Sequence, residues 1–383
     1  MPKGSPIPRL PRVETHQVNP GFEQPAMVTR YSYSAENFMG GNSNMPWTEG
    51  EDTLFKLPGV YTYSSSQLHE VGGELVRKVT RIYNRYHLMT KEITEEFGRV
   101  AQPVAPLDGT AAEPKDDWHI RETETSYHEN PNVEFALQPR YYQAPKFVVE
   151  RWKLKDDPTQ LRQEVTTTLY DDHGNQTLEL QPDGVFTVSE YYEAGEQDGC
   201  PADPLGFKRS LAKRTVYPSG TQPPSWVPPE DMPATVPAPV AVESGAPIMT
   251  TYLRYQLFDM LSEESRLVGA PSQYLVEESI TECSGLGDDE RLLERTTQGY
   301  HHAPDQPALH GRQITEEKIL YNPQAKGLLA SEEKVSTRWS YPGATTKKRE
   351  APLEIKETVT CRGVQKSFVR SVSSLTGQTL NRL

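Results

Sequence analysis

Little in this sequence is sulfur-bearing, apolar or basic, and each shortage closes off a class of protein. Cys200, Cys283 and Cys361 are the three cysteines in 383 residues. They are too few and too far apart for a disulfide framework, and they lack the paired spacing of a zinc site. Lys and Arg number 40 against 53 Asp and Glu, a formal net charge of −13. A surface that grips a phosphate backbone needs clustered cations, so nucleic acid is not an expected partner. The longest basic cluster, Lys347-Lys348-Arg349, runs directly into Glu350 and reads as a solvated turn. No apolar run approaches the ~20 residues that cross a bilayer. The start Met1-Pro2-Lys3-Gly4 lacks the apolar stretch of a secretory signal. The expectation is a chain made in the cytoplasm that enters neither membrane nor Sec pathway by itself. Hydrophobic residues make up 35% and the mean hydropathy is −0.69, thin for one large core.

What the chain does have is turn-formers and strand-formers. Pro 33, Gly 26 and Tyr 19 accompany many Thr, Val and Glu residues, which predicts short strands punctuated by turns. The fold class expected is all-β. Residues 1–28 carry several prolines without periodicity and read as an extended N-terminal arm. Residues 29–217 carry strand signals. Leu75 to Tyr83 puts Leu75, Val79 and Tyr83 on one face with Arg77 and Arg81, a half-buried strand. Phe147 to Leu154 also has one partly wet face. Residues 218–247 hold nine prolines, a density no central strand tolerates, and read as a connection. Residues 248–383 form a second β region. There Leu353, Ile355, Val359 and Cys361 line one side of a strand, and Gly285-Leu286-Gly287-Asp288-Asp289 separates two strands. One helix is expected, over Leu257 to Leu267, from the stripe Leu257, Met260, Leu261 and Leu267.

Self-similarity is the most informative pattern: strand, Tyr plus Asp or Asn, a short polar turn, then a Leu-bearing strand running back. The best copy spans residues 168–192. It contains Tyr170, Asp171, Gly174 and Asn175, then Pro182, Asp183 and Gly184, then a strand ending at Tyr191 and Tyr192. Asp and Asn side chains satisfy turn backbone and glycine accepts positive φ, so two glycines ten residues apart predict consecutive hairpins. Weaker copies begin at Tyr83-Asn84 and Tyr321-Asn322. These motifs resemble the tyrosine/aspartate (YD) repeat of Rhs proteins and of the related shell components of bacterial insecticidal toxin complexes. Asp198 to Phe207 and Ser373 to Thr379 resemble further stretches of such toxin proteins. The resemblance implies a β-ribbon spiralling into a hollow shell that encloses a toxin polypeptide. It also implies, as partners, the remainder of that shell, the enclosed polypeptide and other toxin-complex subunits, with release as part of a larger assembly. Toxin-releasing members carry a terminal core region with an autoproteolytic aspartate pair. Asp203-Pro204-Leu205-Gly206 resembles part of that motif but sits mid-chain, and no cleavage role is assigned to it.

Three sets of residues could carry chemistry instead. Asp171, Asp172 and His173 could exchange protons or hold a cation, but hairpin-tip geometry accounts for them. His301-His302, with His310 nearby, would point to opposite faces in an extended segment and so not share a metal. Trp47, Trp118, Trp152, Trp226 and Trp339 could stack on sugars, or simply cover strands. No Gly-x-Ser-x-Gly nucleophile motif and no phosphate-cradling glycine loop is present. The expectation is a non-catalytic segment without cofactor or metal; the alternative is a surface module that binds carbohydrate or protein.

Overall fold

The structure, a computed structural model, describes residues 2–7, 9–157, 159, 161–233, 245–262, 268–286, 289–321, 333–341, 354–361, 364–372 and 379–382, apart from 101–114. The chain is all-β, as the composition predicts. It separates into two compact units: Met1–Gly184 with Ser225–Ala241, and Val185–Pro224 with Val242–Leu383.

The first unit carries β1 (Thr15–Val18), β2 (Met27–Tyr33), β3 (Thr62–Val71), β4 (Glu74–Asn84), β5 (Met89–Val100), β6 (Lys115–Tyr127), β7 (Pro145–Leu154), β8 (Leu161–Tyr170) and β9 (Gln176–Leu180). From β1 to β9, strands consecutive in sequence pair antiparallel, a meander. β1 falls within the span expected to be an extended arm. The second unit repeats the scheme with β10 (Phe186–Tyr191), β11 (Leu211–Tyr217), β12 (Met249–Asp259), β13 (Gln273–Ser284), β14 (Arg291–Tyr300), β15 (Gln313–Leu320), β16 (Glu333–Ser340), β17 (Glu354–Cys361), β18 (Val364–Val372) and β19 (Thr379–Arg382). Again every neighbour is antiparallel. The expected helix is not formed. Leu257, Phe258 and Asp259 end β12, where Phe258 is buried and Leu257 is exposed, and Met260 to Ser262 are non-helical; residues 263–267 lie outside the described residues. A stripe at helical spacing lost to cross-strand pairing with Leu275, Tyr274 and Gln273.

Register explains why so little apolar surface suffices. In the first unit Arg77 faces Glu96 and Arg81 faces Glu92 across β4–β5, and both form ion pairs, at 2.9 and 2.6 Å. The opposite face of the same strands pairs Lys78 with Glu95 at 2.9 Å. Opposite charges placed directly across a ladder satisfy one another, so both faces of the sheet tolerate water. The dry part is narrow: Phe147, Val149, Val165 and Thr167 are buried together on β7 and β8. Beside them Glu122 on β6, itself buried, receives Lys91 at 2.9 Å, Arg151 at 3.0 Å and Lys153 at 3.8 Å.

Candidate functional site

The tyrosine/aspartate copy at 168–192 is a turn whose parts each have a separate job. β8 ends at Tyr170 and β9 begins at Gln176. Between them the Asp171 amide donates to the Asn175 carbonyl at 2.9 Å, and the Gly174 amide to the Asp171 carbonyl at 2.9 Å. The Asp171 carboxylate accepts from the backbone of His173 and of Asn175, each at 2.9 Å, and from the Asn175 side-chain amide at 3.1 Å. Gly174 sits at φ +85°, where a Cβ is strained. Tyr170, at the register shift that begins the turn, stacks on Tyr141 and meets His128 edge-on at 5.3 Å, pinning the hairpin to the β6–β7 connection. Asp171 is thus consumed by the turn. Asp172 and His173 are exposed at its tip, and this trio forms no metal cluster.

Pro182 and Asp183 are exposed in the next turn, which the Gly184 amide closes onto Gln181 at 3.0 Å with Gly184 at φ +85°. Tyr191 ends β10 opposite Leu211 at a register shift.

The same five-residue arrangement recurs where the sequence pattern is weak. At the β4–β5 reversal, the Asn84 side-chain oxygen accepts from Tyr86 and Leu88 at 3.0 and 2.9 Å. The Asn84 amide donates to Leu88 at 2.9 Å, and the fourth residue, His87, takes φ +61°. His87 bears this conformation because its ring is held at both ends, Nε2 by Asp52 at 2.5 Å and Nδ1 by the Tyr63 hydroxyl at 3.0 Å. Asn37 caps Met39 and Gly41 in the same way, with Gly40 at φ +80°. Asp203 caps Leu205 and Phe207 at 2.8 and 3.3 Å, with Gly206 at φ +71°. The shared signal, Asn or Asp three residues before a glycine, is readable at three of the four sites. The copy at Tyr321-Asn322 lies beyond Tyr321 outside the described residues.

Asp203 is therefore a capping residue. Burial pushes its carboxyl up, but the Leu205 and Phe207 amides and the Arg209 guanidinium at 2.8 Å outweigh this and hold it below the usual carboxylate range. Its turn presents Leu205 and Phe207 to solvent.

Of the aromatics, all five tryptophans are half-buried. Trp118 packs on Phe97, and Trp152 has the Arg121 and Arg162 guanidinium groups over its ring at 5.9 and 5.2 Å. Trp152 lines a shallow recess of about 920 Å³ with Arg77, Glu96, His119 and Arg121. A second recess of about 810 Å³ lies by Phe55, Leu57, Val133 and Phe135. There buried Arg85 ties three segments together through the carbonyls of Leu57, Asn130 and Val133. The histidines differ from expectation. β14 ends at Tyr300, so His301 and His302 lie in a loop, and His302 and His310 converge on Asp259, which is 43 residues from His302 in sequence. They form no metal cluster with any third ligand among the described residues.

No family model matches the chain, and no curated protein is similar to it. Among solved structures it is similar to "Crystal Structure of TcdB2-TccC3-Cdc42", with 8% identity over 93% of this chain and a TM-score of 0.34. It is also similar to "Crystal Structure of TcdB2-TccC3", with 9% identity, the same coverage and a TM-score of 0.32. The chain spans 19% of the length of each of those chains.

Proposed function

We propose that this chain is a non-catalytic wall segment of a YD-repeat shell, one that isolates a toxin polypeptide from the cell that makes it. The observation that supports the reading is the tyrosine–Asx turn. It closes hairpins at 84–88 and 171–175 within a meander whose faces carry in-register ion pairs. A turn that satisfies its own backbone lets a ribbon fold back repeatedly without a central core. The partners in this reading are further shell segments, the enclosed polypeptide and other toxin-complex subunits. The assembly carries the chain out of the cytoplasm, and its use is against insects or competing bacteria.

The test is to isolate the native assembly from its producing cells and treat it with protease before and after mild denaturation. A second polypeptide that is protected before and digested after is the expected result. An assembly with no protected polypeptide would overturn enclosure. Saturable turnover by the purified chain, abolished in His173→Ala with the fold intact, would overturn the non-catalytic assignment.

A further inference from the structure

The recess beside Phe55 contains a buried charge that the wall reading does not use. Three pieces of chain meet there: the helical turn Thr53–Lys56 with the residues after it, the β4–β5 reversal, and the β6–β7 connection. Leu54 and Leu57 are buried and anchor the first piece. Phe55 packs on Tyr86 and on Phe135, ring centroids 5.4 and 4.7 Å apart, and Phe135 is left partly open to solvent. Arg85 lines the recess and is only 3% exposed. A guanidinium has five N–H groups. Nη1 of Arg85 donates to the Leu57 carbonyl, and Nη2 to the carbonyls of Asn130 and Val133 at 3.4 and 3.3 Å, both long for an N–H···O bond. That leaves two N–H groups without a carbonyl and the charge without an anion. The nearby acids are taken elsewhere: Glu51 by Lys56, Asp52 by His87 and Glu129 by Asn84. Glu134 also lines the recess, but it is exposed and forms no ion pair with Arg85 among the described residues. The Tyr86 hydroxyl is buried with no hydrogen-bond partner, and its ring lies 4.7 Å from the guanidinium.

We infer that this recess binds a small carboxylic acid with an apolar body, its carboxylate taken by Arg85 and its body laid against Leu57, Val133 and Phe135. A buried cation is costly unless an anion meets it, and three neutral carbonyls offset only part of that cost. A brace between three segments requires donors alone. A permanent charge lining a recess of about 810 Å³, within the size range of small-ligand sites, is suited to an anionic guest. The planar guanidinium matches a carboxylate, to which it can offer two parallel N–H groups. A doubly charged phosphate suits the recess less well, because the other cation lining it, Lys56, is already paired with Glu51. The remaining lining is largely apolar, with Leu57, Pro58, Val133, Phe135 and Ala136, which favours a hydrocarbon or aryl body over a sugar.

Calorimetric titration of the whole chain with phenylacetate and with its neutral amide, phenylacetamide, at about pH 7 tests this, because only the first probe is ionised there. Phenylacetate should bind about tenfold or more tightly than the amide. Arg85→Gln should abolish that preference. Phe135→Ala, a change at an open position, should weaken both probes about threefold or more by removing apolar contact. Equal affinity for the two probes in the wild type would overturn the inference, as would the absence of saturable phenylacetate binding at millimolar concentration. Loss of binding in Arg162→Gln would also overturn it, since that change alters the Trp152 recess instead. If Arg85→Gln fails to fold, the wild-type comparison of acid with amide, together with Phe135→Ala, decides.

Discussion

The choice between Asp and Asn at the head of each turn follows from what the second side-chain atom touches. Asp171 offers its other oxygen to the Asn175 amide and Asp203 offers its own to Arg209, so both positions need an acceptor. Asn84 instead donates Nδ2 to Glu129 at 2.9 Å, so it needs a donor there. Asn84→Asp, conservative by shape, should set two carboxylates against each other, whereas Asp171→Asn should be milder. Asp171→Ala strips two backbone amides and one side-chain amide of their acceptor and should cost about 1–3 kcal/mol in denaturant unfolding. Gly174→Ala should cost about 1–2 kcal/mol from the left-handed backbone alone. His87→Gly relaxes the same strain but surrenders the bonds to Asp52 and Tyr63, so its net effect on stability should be smaller than that of Gly174→Ala. The glycine turns at 174 and 184 were legible because glycine advertises positive φ. The turn at 84–88 carried only its Asn, since tertiary contacts let His87 stand where glycine would. The opposite-faces reading of His301-His302 assumed an extended segment, but β14 ends at Tyr300, and the approach of His302 and His310 to Asp259 comes from the loop that follows.

At the scale of the element, a strand here is fixed by charge register as much as by apolar alternation. Glu122 shows this: burial pushes its carboxyl up, yet the Lys91 hydrogen bond and the charges of Lys91, Lys153 and Arg151 together hold it below its ordinary value. The sign of the linkage follows. A carboxyl depressed in the folded state adds stability above its unfolded pKa and loses it as pH falls through the folded value. Glu122 and Asp203 should both therefore make the chain more sensitive to acid below about pH 4. Glu122→Gln should flatten that part of the stability-versus-pH curve while lowering stability at neutral pH by about 1–3 kcal/mol, measured by urea titration. Strand existence was readable from sequence because Thr, Val and Tyr cluster between turns. The partners of Glu122 were not, because a lysine on one strand and an arginine and a lysine on another meet it only once register is set. The Leu257 to Leu267 stripe misled for a related reason: three leucines and a methionine suit either period, and β13 supplied the competing partner.

At the scale of the whole molecule, contacts within each unit run between strands adjacent in sequence. Such chains resemble one-dimensional arrays, in which disruption spreads to neighbours and fades. Glu122→Ala should lower hydrogen-exchange protection in β5 to β7 and leave β12 to β15 unchanged, and Asp203→Ala should do the reverse around β10 and β11. A single cooperative loss of protection in both units from either variant would contradict this picture. The all-β class was legible at this scale because 35% apolar residues cannot fill a thick core but can cover a ribbon. The units part at Gly184, within the best repeat, and again after Pro224 and after Ala241, both within the 218–247 proline-rich span.

The capped turn has a consequence for how such a protein changes over time. Because the backbone closure of each is made within five residues, a hairpin whose fourth position is glycine can be gained or lost by duplication or deletion with little disturbance to those on either side. Length becomes an adjustable quantity, counted in hairpins.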